Sequence, residues 1–499
     1  MSLLPHRLPS PGAIVLLSLA LAACTVGPDY RRPDAPAGAA FNGSAALAQR
    51  AAPPGARDPA LWWTGFNDPL LDRVVAQALA QNLDLAAVAA RVDQARARFA
   101  ASRARRLPAG QLGADAAVAH QSVQTPLGRV LDARPGFDRN GEQYGLNAFA
   151  SWDLDLAGGL RRGEQAAAAA LQASEAAQAA ARLDIVALAA DTYMTVRGLQ
   201  ARLALARDQT ALQRERVRLT RLQVSGGVAA PLQLHQAEGA LTEVEATVPA
   251  LEAALDAALN ALDVLMGEAP GSWRAQLDAA APIPTAPAIS DAGGPASLIR
   301  RRPDLMAAER QLEAANARIG VALAGYYPQL SLSGLLGFAT TGGGGALLSS
   351  GAAQAQLAGG LRWRLFDFGR VDADLAAARG GEAIALADYR QAVLRASEDV
   401  ENALTALVKR EVQARTLAAG EQSFVQARAQ TQAAYDGGAL SLLDVLDADA
   451  RLLHSRDALI QARTGAARAA VASFRALGGG WNDGNVAPPD ATVARQGAR

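Results

Sequence analysis

Several things are scarce in this sequence, and each scarcity excludes a class of protein. Only one of the 499 residues is cysteine, so no intramolecular disulfide can form. Aromatic residues make up only 5% although half of the chain is apolar, and much of the apolar share is alanine. Alanine forms helices well but buries little surface, so thin, closely packed helices are expected instead of a thick core. The 48 basic and 48 acidic residues balance, which leaves no excess charge for binding nucleic acid.

The single cysteine, Cys24, follows a short apolar run at the N-terminus. Arg7 precedes the run, which extends over residues 13–23 and is too short for a permanent transmembrane helix, so residues 1–23 are predicted to be a signal peptide. The ending "LAAC" resembles a bacterial lipobox, in which the cysteine becomes the lipid-modified first residue; the alternative is a chance cysteine. Thr25 follows where such lipoproteins retained in the inner membrane carry Asp, which implies export to the outer membrane. No other apolar run approaches about 20 residues, so no transmembrane helix is expected.

The chain is an internal duplication. A shift of 211 residues relates the turn at Gly226 to that at Gly437 and also relates Trp152 to Trp363. Upstream, a shift of 220 residues relates Pro108 to Pro328. The difference between the two shifts means that the first copy has nine extra residues between Pro108 and Trp152. Extra residues are tolerated in exposed loops, which predicts a loop there. Each copy is predicted to contain a helix, a strand, a loop, a strand, a very long helix, a Gly-Gly turn and a helix.

The duplication predicts the domain boundaries. Proline-rich sequence separates the copies, and the two ends of the mature chain show little regular pattern. The predicted order is a signal peptide (1–23), a lipidated N-terminal tether (24–60), repeat 1 (61–280), a linker (281–296), repeat 2 (297–477) and a C-terminal tail (478–499).

Four segments have the alternating pattern of β-strands. Apolar residues recur at every second position in 144–154, 330–338 and 355–365, and a fainter pattern covers 112–120. Apolar-out, polar-in strands of about 10 residues are typical of a membrane barrel, although a soluble sandwich would also explain the alternation. Four strands cannot close a barrel, and an open edge is not tolerated in lipid, so strands in a membrane would require several chains to share one barrel.

The helices that follow these strands are unusually long. The runs from about Leu160 to Val224 and from about Arg370 to Tyr435 contain roughly 65 residues each, or ~100 Å of helix. Helices of this length predict coiled-coil packing rather than a compact domain.

Four motifs together resemble the outer membrane efflux protein family, whose best-known fold is TolC, and in particular its lipid-modified OprM/NodT branch. They are "CTVGPDYRRP" at Cys24, "RRPDLMAAERQLEAANARIGVALAGYYPQLSLSG" at Arg301, "YDGGALSLLDVLDA" at Tyr435 and "ALGGGW" at Ala476. The resemblance implies a mainly α protein with a membrane β-barrel: a homotrimer in which four strands per protomer form a shared twelve-stranded barrel. The long helices would form a coiled-coil tunnel through the periplasm.

The resemblance also assigns candidate sites. It places the turns with Gly226, Gly227, Gly437 and Gly438 at the periplasmic tips, where glycine ends a helix. It places Asp444, Asp447 and Tyr435 at a periplasmic gate lined by a ring of carboxylates. The alternative for Asp444 is a capping box with Ser441. Some relatives have arginine in place of Leu440 and aspartate in place of Gln233, so the latch of those relatives does not transfer as a whole.

The functional prediction is a passive exit duct in the outer membrane. The resemblance implies a tripartite efflux system, with a periplasmic adaptor and an inner-membrane pump of the resistance-nodulation-division (RND) type, that exports drugs or other small toxins. The alternatives are the duct of a type I protein secretion system and a non-conducting coiled-coil spacer lipoprotein.

No catalytic or metal-ligand pattern is visible, and the glycine run at 342–345 fits a hairpin loop better than a phosphate loop. No enzyme activity and no cofactor, apart from the lipid on Cys24, is therefore expected.

Overall fold

The computed structural model describes residues 25–34, 41, 59–287, 289 and 301–479. The predicted signal peptide and the predicted lipidation site, Cys24, lie outside the described residues, as do parts of the tether, linker and tail. The chain has two compact units. Unit 1 contains the described part of Met1–Pro33 with Asp93–Ala173 and Glu309–Asp388, and unit 2 contains the described remainder. Each unit draws on both repeats, so the repeats are not the compact units.

The elements occur in the predicted order. In the described part of repeat 1 the main ones are α1 (Pro69–Gln81), α2 (Leu83–Ala104), β1 (Ala109–His120), α3 (Pro126–Asp132), β2 (Asn140–Leu154), α4 (Gly159–Ser225), α5 (Pro231–Glu245), α6 (Thr247–Leu265) and α7 (Arg274–Leu277). In that of repeat 2 they are α8 (Pro303–Leu323), β3 (Gln329–Thr340), β4 (Ala353–Arg362), α9 (Arg370–Asp436) and α10 (Leu442–Ala476).

The very long helices are confirmed: α4 and α9 have 67 residues each. The final helix of repeat 1, however, is not continuous like α10, because it divides at Ala246 into α5 and α6. Pro249 accounts for the break, since it lacks the N–H that would donate to the carbonyl of Glu245 four residues earlier. The predicted loop of repeat 1 contains the short helix α3, which the sequence pattern did not indicate.

The four strands form one antiparallel sheet in the order β1-β2-β3-β4. Its register aligns the alternation of all four strands: one row runs through Leu112, Ala148, Leu336 and Ala355. The neighbouring row, on the opposite face, contains Asn147, whose Oδ1 accepts a 2.7 Å hydrogen bond from Gln354 on β4. One face of the sheet is therefore apolar and the other is largely polar, as predicted.

Strand β4 is shorter than its sequence pattern suggested. Residues 355–365 alternate, but the strand ends at Arg362, so Trp363 and Leu365 lie beyond it. Arg362 pairs with Gln329, the first residue of β3, and Pro328 before it cannot donate to a ladder, so the sheet ends there. The edge strands β1 and β4 each pair on one side only within the described chain.

Unit 2 contains an apolar core. Trp62 stacks on Phe474 at a centroid distance of 5.1 Å, and Leu71 on α1, Met194 on α4 and Leu404 on α9 belong to the same buried cluster. The helices of the described residues include none that combines the length and the apolar character needed to cross a membrane.

Candidate functional site

The two Gly-Gly turns have the same backbone geometry. Gly227 follows α4 with φ +73°, and Gly438 follows α9 with φ +75°. In each turn the amide one residue further on donates to a carbonyl five residues back, Val228 to Gln223 and Ala439 to Ala434, both at 2.8 Å. This is the Schellman pattern, in which a left-handed residue closes the last helical turn. The second glycine of each pair therefore ends its helix by supplying the left-handed conformation.

A capping box starts helix α10 directly after the second turn. The backbone amide and the hydroxyl of Ser441 both donate to Oδ2 of Asp444, at 2.8 and 2.6 Å. The amide of Asp444 donates back to the Ser441 hydroxyl oxygen, which completes the box. The hydrogen bond from the Ser441 hydroxyl lowers the pKa of Asp444, because it stabilises the ionised carboxylate. The capping alternative for Asp444 is thus present in the structure.

The other two candidate gate residues lie close by. Asp447 is exposed and forms an ion pair with Arg451 on the same helix, at 2.7 Å between Oδ2 and Nε. Asp444 and Asp447 are three residues apart, so they share one exposed helix face. Tyr435 is half-buried in the last turn of α9, and its carbonyl accepts from the amide of Gly438. Together these residues bring two carboxylates and a phenol to the end of one helix pair.

A buried carboxylate, Asp449, was missed by the sequence analysis. Its side chain is only 2% exposed and bonds to two arginines: Arg428 on α9, at 2.9 Å, and Arg216 on α4. It therefore ties α10 to both long helices. The available signal was its position on the apolar face of α10 with Leu442, Leu446 and Leu452, where an ionised acid requires a partner.

Further ion pairs continue along α10 in unit 2. Four such pairs link it to the long helices: Arg456–Glu421, Asp457–Arg202, Arg468–Asp191 and Arg475–Asp184. These side chains are partly exposed, so each pair adds little stability, but the series fixes the register of α10. No group of three or more metal-ligating side chains occurs within the part of the chain that the structure describes.

The fold defines a class of protein. An antiparallel sheet with one apolar face, joined to helix pairs of this length, is the architecture of a TolC-like outer-membrane channel. The solved structure of the outer-membrane channel OprN is similar, with a TM-score of 0.83 and 34% sequence identity over 92% of this chain and 100% of that one.

Sequence comparison identifies the family. The model of the outer membrane efflux protein family matches residues 74–268 and again 295–479, once in each repeat. The outer membrane protein OprJ of Pseudomonas aeruginosa is 32% identical over 94% of this chain and 96% of its own length. The toluene efflux pump outer membrane protein TtgF of Pseudomonas putida is 30% identical over 94% and 96%. The chain belongs to the outer membrane efflux protein family. It is the outer-membrane channel of a tripartite efflux system, and its helices form the periplasmic tunnel.

Proposed function

We propose that the working channel is a homotrimer whose twelve strands close one barrel. The observation that carries the proposal is the four-stranded sheet, whose β1 and β4 edges are unpaired within the described chain. In a bilayer each unpaired backbone group costs several kcal/mol, so the edge of one copy must meet the complementary edge of the next. Three copies of four strands give an even-numbered barrel with its apolar face to lipid and its polar face to the pore.

Asp444 and Asp447 form the periplasmic gate in this proposal. Three chains present six carboxylates around the closed end of the tunnel, and such a ring favours cations and repels itself. Tyr435 in the adjacent helix end helps to hold the tip closed. The capping box does not compete with this role, since it leaves Asp444 exposed and ionised.

The channel has no energy source of its own and serves as a passive duct without a catalytic step. A periplasmic adaptor opens the tip, and an inner-membrane pump of the RND type supplies the substrate. Small toxic molecules, including drugs and solvents, are the proposed cargo. The name of the related toluene efflux protein TtgF supports this substrate class.

A lipid on Cys24 adds a second attachment to the outer membrane in this proposal. Radioactive palmitate fed to cells should label the wild-type protein but not Cys24→Ser. Labelling that persists in Cys24→Ser would contradict the assignment.

Single-channel recording in a planar bilayer tests the duct. The purified wild-type trimer should show discrete conductance steps with cation selectivity. Asp444→Ala combined with Asp447→Ala should raise the resting conductance and reduce that selectivity. Arg451→Ala is the matched control, because it removes the ion-pair partner of Asp447 but keeps both carboxylates. Unchanged conductance and selectivity in the double variant would refute the gate, and a protein without conductance steps would refute the duct.

A further inference from the structure

The residues just after Cys24 are bound by hydrogen bonds to other residues of unit 1. Thr25 accepts a 3.1 Å hydrogen bond from Arg161, and the amide of Val26 donates to the carbonyl of Ala157 at 3.0 Å. Both partners lie between the end of β2 and the first turn of α4. The predicted tether thus begins with a docked segment, residues 25–29, which we call the strap.

Arg162 makes most of the polar contacts with the strap. Its guanidinium donates to the carbonyls of Val26 and Gly27 at 3.1 and 3.0 Å, to Oδ1 of Asp29 at 2.9 Å and to Gln165 at 3.0 Å. The residue is only 5% exposed. A buried guanidinium without acceptors is costly, and here two of the acceptors are backbone carbonyls of the strap. The strap therefore supplies acceptors for the buried guanidinium, and Arg162 supplies donors for the carbonyls of the strap.

Glycines allow the strap to approach this closely. Gly27 has φ +101°, and a Cβ added there would lie 2.5 Å from the Cα of Gly320 on α8. A Cβ on Gly158 would lie 2.8 Å from Thr25 Cγ2. Beyond the strap, Arg32 forms a 2.6 Å ion pair with Glu309, which is largely buried. The docking site is thus shaped for this backbone.

The duplication shows that the docking site is not a general requirement of the fold. The shift of 211 residues places Ala373 where Arg162 stands, and the shift of 220 places Ala100 where Gly320 stands and Ala89 where Glu309 stands. Among the described residues, no atom lies within 4 Å of a Cβ added to Gly369, the counterpart of Gly158. The repeats keep their backbone geometry without these side chains, so the side chains serve the strap.

We propose that Arg162 and the Gly27–Gly320 contact dock the strap at the periplasmic end of β2, so that a lipid carried by the residue before Thr25 enters the membrane beside the sheet. The inference rests on the proposed lipidation of Cys24. Cys24 adjoins Thr25, which lies against Gly158 in the connection between β2 and α4. The acyl chain and the sheet then enter the same membrane together, and Arg162 acts as a positioning residue for insertion.

Hydrogen exchange of the purified, full-length protein tests the docking. We expect exchange in residues 25–33 to rise at least about tenfold in both Arg162→Ala and Gly27→Ala. The first change removes the hydrogen bonds to the carbonyls of the strap, and the second places a Cβ against the backbone of Gly320. Gly27→Ala removes no side chain from α4 or α8, so it remains informative if Arg162→Ala folds poorly. Arg106→Ala is the matched control, since it removes an ion pair with Glu164 on the same turn of α4 and no strap contact is lost. Wild-type exchange in Gly27→Ala would overturn the docking.

Combining these changes with Cys24→Ser tests the coupling to the lipid. The readout is the amount of detergent-resistant trimer in the outer-membrane fraction. We expect Gly27→Ala and Arg162→Ala to lower this amount in protein with Cys24 and to cause no further loss with Cys24→Ser. Equal losses in both backgrounds would mean that the strap only stabilises the fold, which overturns the positioning role. Absence of palmitate label on the wild type would overturn the lipidation and this role together, while the exchange result would still decide the docking.

Discussion

The buried carboxylate of Asp449 offers the sharpest test of how the helix pair of repeat 2 is held. Asp449→Asn keeps the size of the side chain but removes the charge that Arg216 and Arg428 share. Breaking a buried ion pair on one side typically costs about 3–5 kcal/mol. Arg428 is 28% exposed and can regain water, so we expect the lower end, about 3 kcal/mol.

Hydrogen exchange of α10 measures this loss locally. A decrease of about 3 kcal/mol in the free energy of opening corresponds to roughly hundredfold faster exchange of the amides around Asp449. Asp447→Asn is the matched control, because Asp447 lies on the same helix with an arginine partner but its side chain is 58% exposed. An exposed pair contributes about 0.5 kcal/mol or less, so exchange should change by no more than about threefold. Similar exchange in both variants would refute the reasoning from burial.

A second variant separates charge from packing at the same place. Replacing Asp449 with Leu and both Arg216 and Arg428 with Met removes the ion pairs and leaves no uncompensated charge. Buried ion pairs replaced by apolar residues are often neutral or stabilising, so exchange in α10 should return close to the wild-type rate. Exchange as fast as in Asp449→Asn would show that the geometry of the ion pairs, not the unpaired charge, holds the helix.

Two further predictions concern the turn and the cap of repeat 2. Gly438→Ala should destabilise the end of α9 by about 1 kcal/mol, because alanine is strained at φ +75°. Gly437→Ala should cost clearly less, because the φ of Gly437 lies outside the left-handed region. Exchange of the last turn of α9 measures both, and equal effects would contradict the strain argument. Because the folded state lowers the pKa of Asp444, its cap should stabilise α10 fully above about pH 5 and lose this effect as the pH falls through the folded pKa. The protection of amides at the start of α10, relative to their intrinsic exchange rate at each pH, should therefore fall in acid in the wild type and hardly at all in Asp444→Asn. An equal fall in both would contradict the linkage.

Local patterns predicted the elements of this fold well. The period-two alternation of β2 predicted its apolar face because the register aligns the faces of all four strands. The Gly-Gly pairs predicted the helix ends because φ above zero favours glycine wherever it occurs. The break at Ala246 was missed because Pro249 lies within a helical pattern, and proline is tolerated in a first turn.

Contacts between distant residues could not be predicted in this way. Asp449 meets Arg216 from 233 positions away, and Arg162 meets Val26 from 136 positions away. Neither distance follows from helical or strand periodicity, since it depends on which helices the fold places side by side. A buried position for Asp449 could be read from the apolar face of α10, but its partners could not.

The duplication offers a way to find such sites, because the two repeats share a backbone and differ where their surroundings differ. The indole of Trp152 donates to the carbonyl of Arg106 at 2.9 Å, and its counterpart Trp363 donates to that of Tyr326 at 3.0 Å, so this contact belongs to the fold itself.

The counterpart of Asp449 is Glu238, and there the repeats diverge. Glu238 pairs with Arg221 inside its own helix hairpin and is partly exposed, whereas Asp449 is buried and reaches across to the other repeat through Arg216. An acidic residue that occurs at the same position in both repeats but is buried in only one therefore identifies a contact that is specific to that repeat. By the same reasoning Ala373→Arg should leave exchange in residues 25–33 unchanged, because the described contacts of the strap are with Arg162 and its neighbours and none involves Ala373. A response of the strap to Ala373→Arg would show that the two repeats are less independent than their different partners suggest.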